Sequence, residues 1–413
     1  MQQKKFYPWA VVGMLWVVAL LNYLDRQMLS TMKPSMMIDI TELAKAENFG
    51  RLMAIFLWIY AFMSPVSGII ADRLNRKWLI VGSLFVWSGV TLSMGYATTF
   101  NQLYVLRAIM GVSEAFYIPA GLSLIVDYHQ GKTRSIAVGI HTTGIYLGQA
   151  FGGFGATIAN NFSWQWTFQF FGLIGMIYSL VLLFFLKEKK SYTIDTTQKT
   201  TIGKELTYAF RGLGVLFGNI AFWVILFYFS APSFPGWAVK NWLPTLFSDT
   251  LQMDMSKAGP LATVTTAMSS FFGVLIGGYL SDRWVQKNMK GRIFTGVLGL
   301  TFTIPALFLL GYGTGFEMVV LGAVFFGLGF GMFDANSMPI LCQFVSPRYR
   351  ATGYGLMNLA GISAGAVITG MLGKSADAGN MRHDFAMLSI IVVVAIVLQL
   401  VVLKPKTINK TED

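Results

Sequence analysis

The chain has 413 residues, 54% of them hydrophobic and only 12% charged, with mean hydropathy +0.58 and net charge +12. That balance excludes a soluble globule and points to an integral membrane protein. The basic residues sit in short loops between apolar segments, a positive-inside pattern and not a phosphate-binding face, so no nucleic-acid partner is expected. One cysteine, Cys342, excludes an intrachain disulfide and reads as packing.

Lys4 and Lys5 open the chain and precede a long apolar run with no evident small-residue cleavage site, so this is read as a membrane helix, not a cleaved signal peptide. Twelve apolar segments follow in order, at roughly 8–30, 49–71, 78–97, 101–128, 133–161, 165–187, 216–247, 257–281, 291–312, 317–342, 348–372 and 384–404. Each is long enough to cross a hydrocarbon core of about 30 Å as a helix. The polar stretch Lys187–Arg211 divides them six to six. The expected organisation is a first half over 1–187, a linker over 188–215 carrying a short surface helix, and a second half over 216–413. With the N-terminus inside, 22 of the 31 Lys and Arg fall on the cytoplasmic side, 6 on the opposite side and 3 within segments. Both termini are therefore expected in the cytoplasm.

The first segment carries Asn22, Tyr23, Asp25 and Arg26, and the fourth carries Arg107 and Glu114. An ionisable group at membrane depth costs about 2.5–3.5 kcal/mol on insertion scales, so it faces a bundle interior, pairs, or marks a path for substrate and ions. Arg107 and Glu114 lie seven residues apart, two helical turns, and share a face. Arginine presents a rigid donor fork to a carboxylate and does not deprotonate. A buried carboxylate holds its charge only while a cation attends it. If an arriving anion takes Arg107, Glu114 then favours a proton. With Asp25, Arg26, Arg107 and Glu114 ionised the set is neutral, and one anion plus one proton leaves it neutral.

The two halves resemble each other. Gly68, Asp72 and Arg73 follow the second segment as Gly278, Asp282 and Arg283 follow the eighth. Gly111, Glu114 and Pro119 in the fourth match Gly331, Asp334 and Pro339 in the tenth. Duplicated halves rocking about a site near the bilayer midplane are a transporter architecture.

The stretch from Gly68 through Asp72, Arg73 and Arg76, with its second copy, resembles the loop signature of the major facilitator superfamily. The run Asn22 to Arg26, with Arg107, Glu114 and the stretch Arg350 to Asn358, is similar to its anion:cation symporter branch, which includes galactonate and hexuronate permeases and sialin. The resemblance implies an all-α fold of twelve transmembrane helices in two pseudo-symmetric six-helix halves. It implies proton-coupled symport of an organic anion, most simply a hexuronate, aldonate or related sugar acid, by alternating access in the cytoplasmic (inner) membrane. By position, Arg26 and Arg107 meet the anion and Tyr23 and Tyr60 line the site. Asp25 and Glu114 carry protons, and Asp72, Arg73 and Arg76, with Asp282 and Arg283, form the cytoplasmic gate. The expected partners are the solute, a proton (sodium is the alternative) and the bilayer, with the chain a monomer and no cofactor.

Departures from the branch pattern extend the candidate site. Asp334 and Asn336 in the tenth segment, Lys240 and Trp242 in the seventh, and His141 and Gln149 in the fifth suit sugar hydroxyls and a pyranose face; the alternative is that Asp334 and Lys240 pair across helices and His141 is a hydrogen-bonded core imidazole. Asp334 and Lys240 are the only ionisable pair inside the second half and are expected to approach each other or share the substrate. Arg26, His141 and Lys240 together also fit an organophosphate:phosphate antiporter, the competing reading. A membrane enzyme is disfavoured because no nucleophile–base pair, metal-spaced cluster or nucleotide loop is visible.

Overall fold

The computed structural model describes residues 3–129, 133–189, 214, 216–346 and 349–407, with the side chains at 3–5, 69, 72, 73, 135 and 351 outside that description. The surface helix expected in the linker falls on 190–213 and 215, also outside the described residues. The first half contains α1 (Gln3–Thr31), α2 (Lys33–Asp39), α3 (Ala46–Arg73), α4 (Arg76–Met94) and α5 (Phe100–Glu114). It continues with α6 (Tyr117–Tyr128), α7 (Arg134–Gly152), α8 (Gly155–Asn161) and α9 (Trp164–Phe185). The second half contains α10 (Ile220–Leu251), α11 (Met255–Lys287), α12 (Gly291–Tyr312), α13 (Phe316–Phe344), α14 (Arg350–Asp377) and α15 (Met381–Val402).

Eleven helical stretches among the described residues are long and apolar enough to cross a membrane. The fourth segment is one such span but is broken at Ala115 and Phe116 between α5 and α6. Pro119 sits in the first turn of α6, where its missing N–H costs nothing because a first-turn N–H has no intrahelical partner. The fifth segment falls short as a span because α7 carries His141 and Gln149, and Gly153 and Phe154 separate it from α8. By contrast α10 runs through Pro232, Pro235 and Pro244 without interruption.

The packing is pseudo-symmetric. Helix α1 lies on α7 as α10 lies on α14, and α4 lies on α9 as α12 lies on α15. The halves meet along two seams, α3 on α14 and α7 with α8 on α11. Both seams close at the far end of the bundle, opposite the end where α1 begins. There the Asp377 carboxylate, at the end of α14, accepts from the first N–H groups of α3, at Ala46 (2.8 Å) and Glu47 (2.8 Å). A carboxylate at a helix N-terminus also meets the positive end of the helix dipole. At the other seam Thr157 Oγ1 donates to Ser256 O (2.7 Å), and Asn160 Nδ2 donates to Asp254 Oδ1 (3.3 Å). Asp254 also caps α11 through Ser256 N, and these hydrogen bonds hold its carboxyl below the usual range.

Backbones touch at these seams. A Cβ at Gly373 would lie 2.6 Å from Ala46 O, and one at Gly153 would meet Gly259 O at 3.0 Å and overlap Thr263. Small residues are the means by which membrane helices approach this closely.

Candidate functional site

The first half supplies a polar cluster between α1, α3, α4 and α5. On α1, Tyr23, Arg26, Gln27 and Ser30 recur at helical spacing and share a face, while Asn22 and Asp25 share another. Arg26 Nε donates to Glu114 Oε2 at 2.5 Å, with side-chain exposures of 11% and 0%. Its guanidinium also lies over three rings: Tyr60 at 4.6 Å, Tyr23 at 4.9 Å and Phe56 at 4.9 Å from the centroids. Such contacts stabilise a desolvated cation while leaving its donor edge free. Among the described residues Arg26 Nη2 is buried with no hydrogen-bond partner.

Arg107 does not pair with Glu114. Seven residues correspond to a rise of about 10.5 Å along α5, so sharing a face does not bring the two ends together. The buried Arg107 guanidinium instead lies 4.5 Å from the Phe56 ring centroid, with Nη1 3.2 Å from Met110 Sδ. Asp25, also buried, has Oδ2 3.3 Å from Thr91 Oγ1. The sequence reading missed Phe56, which stacks against both arginines, and Thr91.

The second half faces this cluster. Asp334 lies in the middle of α13 yet is exposed, and a charge there cannot face lipid cheaply, so it is placed toward the space between the halves. Lys240 on α10 is half-buried, its ammonium 4.8 Å from the Trp237 ring centroid and 5.9 Å from that of Phe330. Among the described residues no ion pair within 4 Å joins Lys240 to Asp334. The two rings attend the Lys240 cation. Gln27, a residue sequence reasoning passed over, donates from Nε2 to Lys240 O at 2.8 Å and ties the halves together beside the site. Gln149 shares a narrow crevice with Gln27, Lys240 and Thr266.

Three expected site residues are buried within the packing. Trp242 is fully buried; its indole donates to Thr369 O at 3.0 Å and its ring packs edge-on to Phe49. It presents no sugar platform. Replacing it with phenylalanine is expected to destabilise the fold by about 1–3 kcal/mol while leaving ligand affinity unchanged, read by thermal unfolding beside ligand titration. His141 is buried, with Nε2 2.8 Å from Tyr117 Oη. The Tyr117 hydroxyl must donate to Leu15 O (2.6 Å), so it accepts from His141 Nε2–H. Asn336 is buried; its Nδ2 donates to Met332 O at 2.8 Å, while its Oδ1 has no hydrogen-bond partner among the described residues.

At the near end, Asp72 and Arg73 have side chains outside the described residues. Arg76 pairs with Asp127 and lies 3.8 Å from Glu188, whose carboxylate also accepts from Lys77 N at 2.8 Å. The start of the linker is thus fastened to α4 and α6. In the second copy Asp282 and Arg283 are exposed, and the Arg283 guanidinium lies 4.7 Å from the Tyr279 ring centroid.

The family model described as Major Facilitator Superfamily matches residues 15–369 and 272–412. Among curated proteins, a hexuronate transporter of Bacillus subtilis is 27% identical over 326 residues, 76% of this chain and 74% of its own. A D-galactonate transporter of Escherichia coli is 25% identical, covering 88% of each chain. Among solved structures, a bacterial homologue of the human lysosomal transporter Spinster superimposes with TM-score 0.76 at 23% identity, over 95% of this chain and 96% of that one. With eleven membrane-crossing helical stretches among the described residues, packed as two similar halves, and a family model that spans nearly the whole length, this chain belongs to the Major Facilitator Superfamily.

Proposed function

We propose that the protein carries a sugar acid, of the hexuronate or aldonate class, across the cytoplasmic membrane together with a proton. The observation that carries this reading is Arg26, held by Glu114 inside a cage of three aromatic rings with one buried donor unused. A substrate carboxylate takes the Arg26 fork from Glu114, and the buried Glu114, deprived of its cation, takes a proton. The exchange leaves the site neutral and able to reorient. Arg107 supplies the second positive charge, Asp25 a second proton site, and Tyr23 and Tyr60 the walls. Gln149, Lys240 and Asp334 offer hydrogen bonds to sugar hydroxyls from the opposing side. The hexuronate and galactonate transporters among the relatives support the substrate class.

The N-terminal end of the bundle is assigned to the cytoplasm on the distribution of lysine and arginine. Arg76, with Asp72 and Arg73, then serves the cytoplasmic gate. Asp377, which sequence reasoning did not single out, fastens the outer one. An antiporter reading would need His141 at the substrate, whereas its Nε2 is engaged with Tyr117 in the core.

The test is uptake into proteoliposomes. With an inward proton gradient, labelled glucuronate, galacturonate or galactonate is expected to accumulate above its outside concentration, and a protonophore to collapse the gradient. Accumulation driven only by sodium, or only by exchange against internal phosphate, would overturn proton symport.

A further inference from the structure

A second candidate site lies outside the central cluster, on the flank of the α3–α14 seam. A groove of about 410 Å³ runs between α3, α5 and α14. Its floor is made of small residues, Ala54, Ala366 and Gly370, and a Cβ at Gly370 would meet nothing within 4 Å. Its walls are Trp58, Tyr104, Val367 and Met371, the last two exposed on the membrane-facing surface at 37% and 59%. Arg51 and Lys374 stand at its mouth together with one carboxylate, Glu47, leaving a net positive charge there. Arg51 lies two turns before Trp58 on α3, and Lys374 two turns after Val367 on α14, so the charged mouth sits near the far end and the groove descends about 10 Å toward the hydrocarbon centre.

The charges at the mouth are unusual for that end of the bundle. It carries only Lys33, Lys45, Arg51, Lys257, Lys374 and Arg382, and two of the six converge on one groove. Arg51 is exposed; its guanidinium lies 6.0 Å from the Phe100 ring centroid and makes no ion pair within 4 Å among the described residues. Lys374 reaches Glu47 at 3.6 Å, but both side chains are well exposed, at 69% and 41%. An exposed pair of this kind holds weakly and yields to a better anion. A cationic mouth with interfacial aromatic rings, above an apolar trough open to lipid, has the chemistry of a headgroup and one acyl chain.

We propose that this groove binds an anionic phospholipid, its phosphate between Arg51 and Lys374 and one acyl chain along the Ala54–Gly370 floor. The walls come from both halves, so the site is complete only while the seam is closed. Its occupant therefore favours the arrangement closed at the far end.

Brominated lipids test this through Trp58. The tryptophan emission attributable to it is the difference between the protein and its Trp58→Phe variant, both in vesicles of zwitterionic lipid doped with brominated phosphatidylglycerol or brominated phosphatidylcholine. The expected result is at least threefold stronger quenching by the anionic lipid at equal mole fraction. In Arg51→Gln/Lys374→Gln that preference falls to parity, with the variant still monodisperse and folded. Equal quenching by both lipids in the unaltered protein would overturn the proposal, leaving ordinary annular contact. Abolition of the preference by millimolar inorganic phosphate would also overturn it, in favour of a soluble anion at the mouth. Because no transport is measured, the outcome stands apart from the sugar-acid reading.

Discussion

Replacing Arg26 with lysine is expected to weaken sugar-acid binding by about 10- to 150-fold, with the protein still folded. The estimate follows from losing one charge-assisted hydrogen bond, about 1.5–3 kcal/mol, when a planar fork becomes a point charge. Formal charge at the site is unchanged, so the loss isolates geometry from electrostatics. The cage of Tyr23, Phe56 and Tyr60 accepts an ammonium as readily as a guanidinium, and packing should survive. Arg107→Lys is expected to have the smaller effect on affinity, since Arg107 is the more deeply buried of the two. Isothermal titration or a ligand-induced thermal shift, with gel filtration as the folding control, reads both. Unchanged affinity in Arg26→Lys would move the anion to another cation, and a loss confined to Arg107→Lys would centre it there.

Glu114→Gln separates binding from coupling. Glutamine mimics the protonated acid permanently, so the loaded carrier still reorients and exchange of labelled for unlabelled sugar acid persists. Accumulation driven by a pH gradient disappears, because no proton leaves before the empty carrier returns. Substrate affinity at high pH should rise in this variant, since Arg26 no longer has to be taken from a carboxylate 2.5 Å away. That rise is the signature of competition for Arg26, and a purely structural role for Glu114 would not produce it. Asp25→Asn should share the coupling defect if both acids titrate in the cycle. It should instead lose folded protein if the contact with Thr91 is only structural. Persistent gradient-driven accumulation in Glu114→Gln would remove Glu114 from proton coupling.

The burial of these charged side chains was legible in the sequence. Charged side chains inside apolar segments are costly, so Arg26, Arg107 and Glu114 stood out, and helical periodicity placed Tyr23 with Arg26. The partner of Glu114 was not legible, because periodicity describes one helix and the pairing crosses from α5 to α1. The same limit explains Trp242 and His141. Residue type marks each as able to bind a sugar, but only the packing of α10 on Phe49 and Thr369, and of α7 on Tyr117, puts them in the core. The fold was read more fully, since segment length and the duplicated motifs report on each half directly. What escaped was the break after Glu114 and the short α8, both set by local proline and glycine chemistry. Asp377 escaped too: it is an ordinary polar residue at a segment end until α3 is brought beside it.

The glycines at the far-end seams give an experimental handle on the moving protein. Gly153 and Gly373 have close neighbours across the seam in the arrangement seen here, and a rocking of the halves that opens this end would part them. A methyl group added at Gly373 confronts the Ala46 carbonyl, a rigid group with no rotamer through which to yield. It acts as a wedge that penalises the arrangement closed at this end and leaves the opposite one untouched. Gly373→Ala is thus a means of trapping the transporter open at its far end, and Gly373 with Gly153 marks where a single carbon atom chooses between the two faces of the membrane.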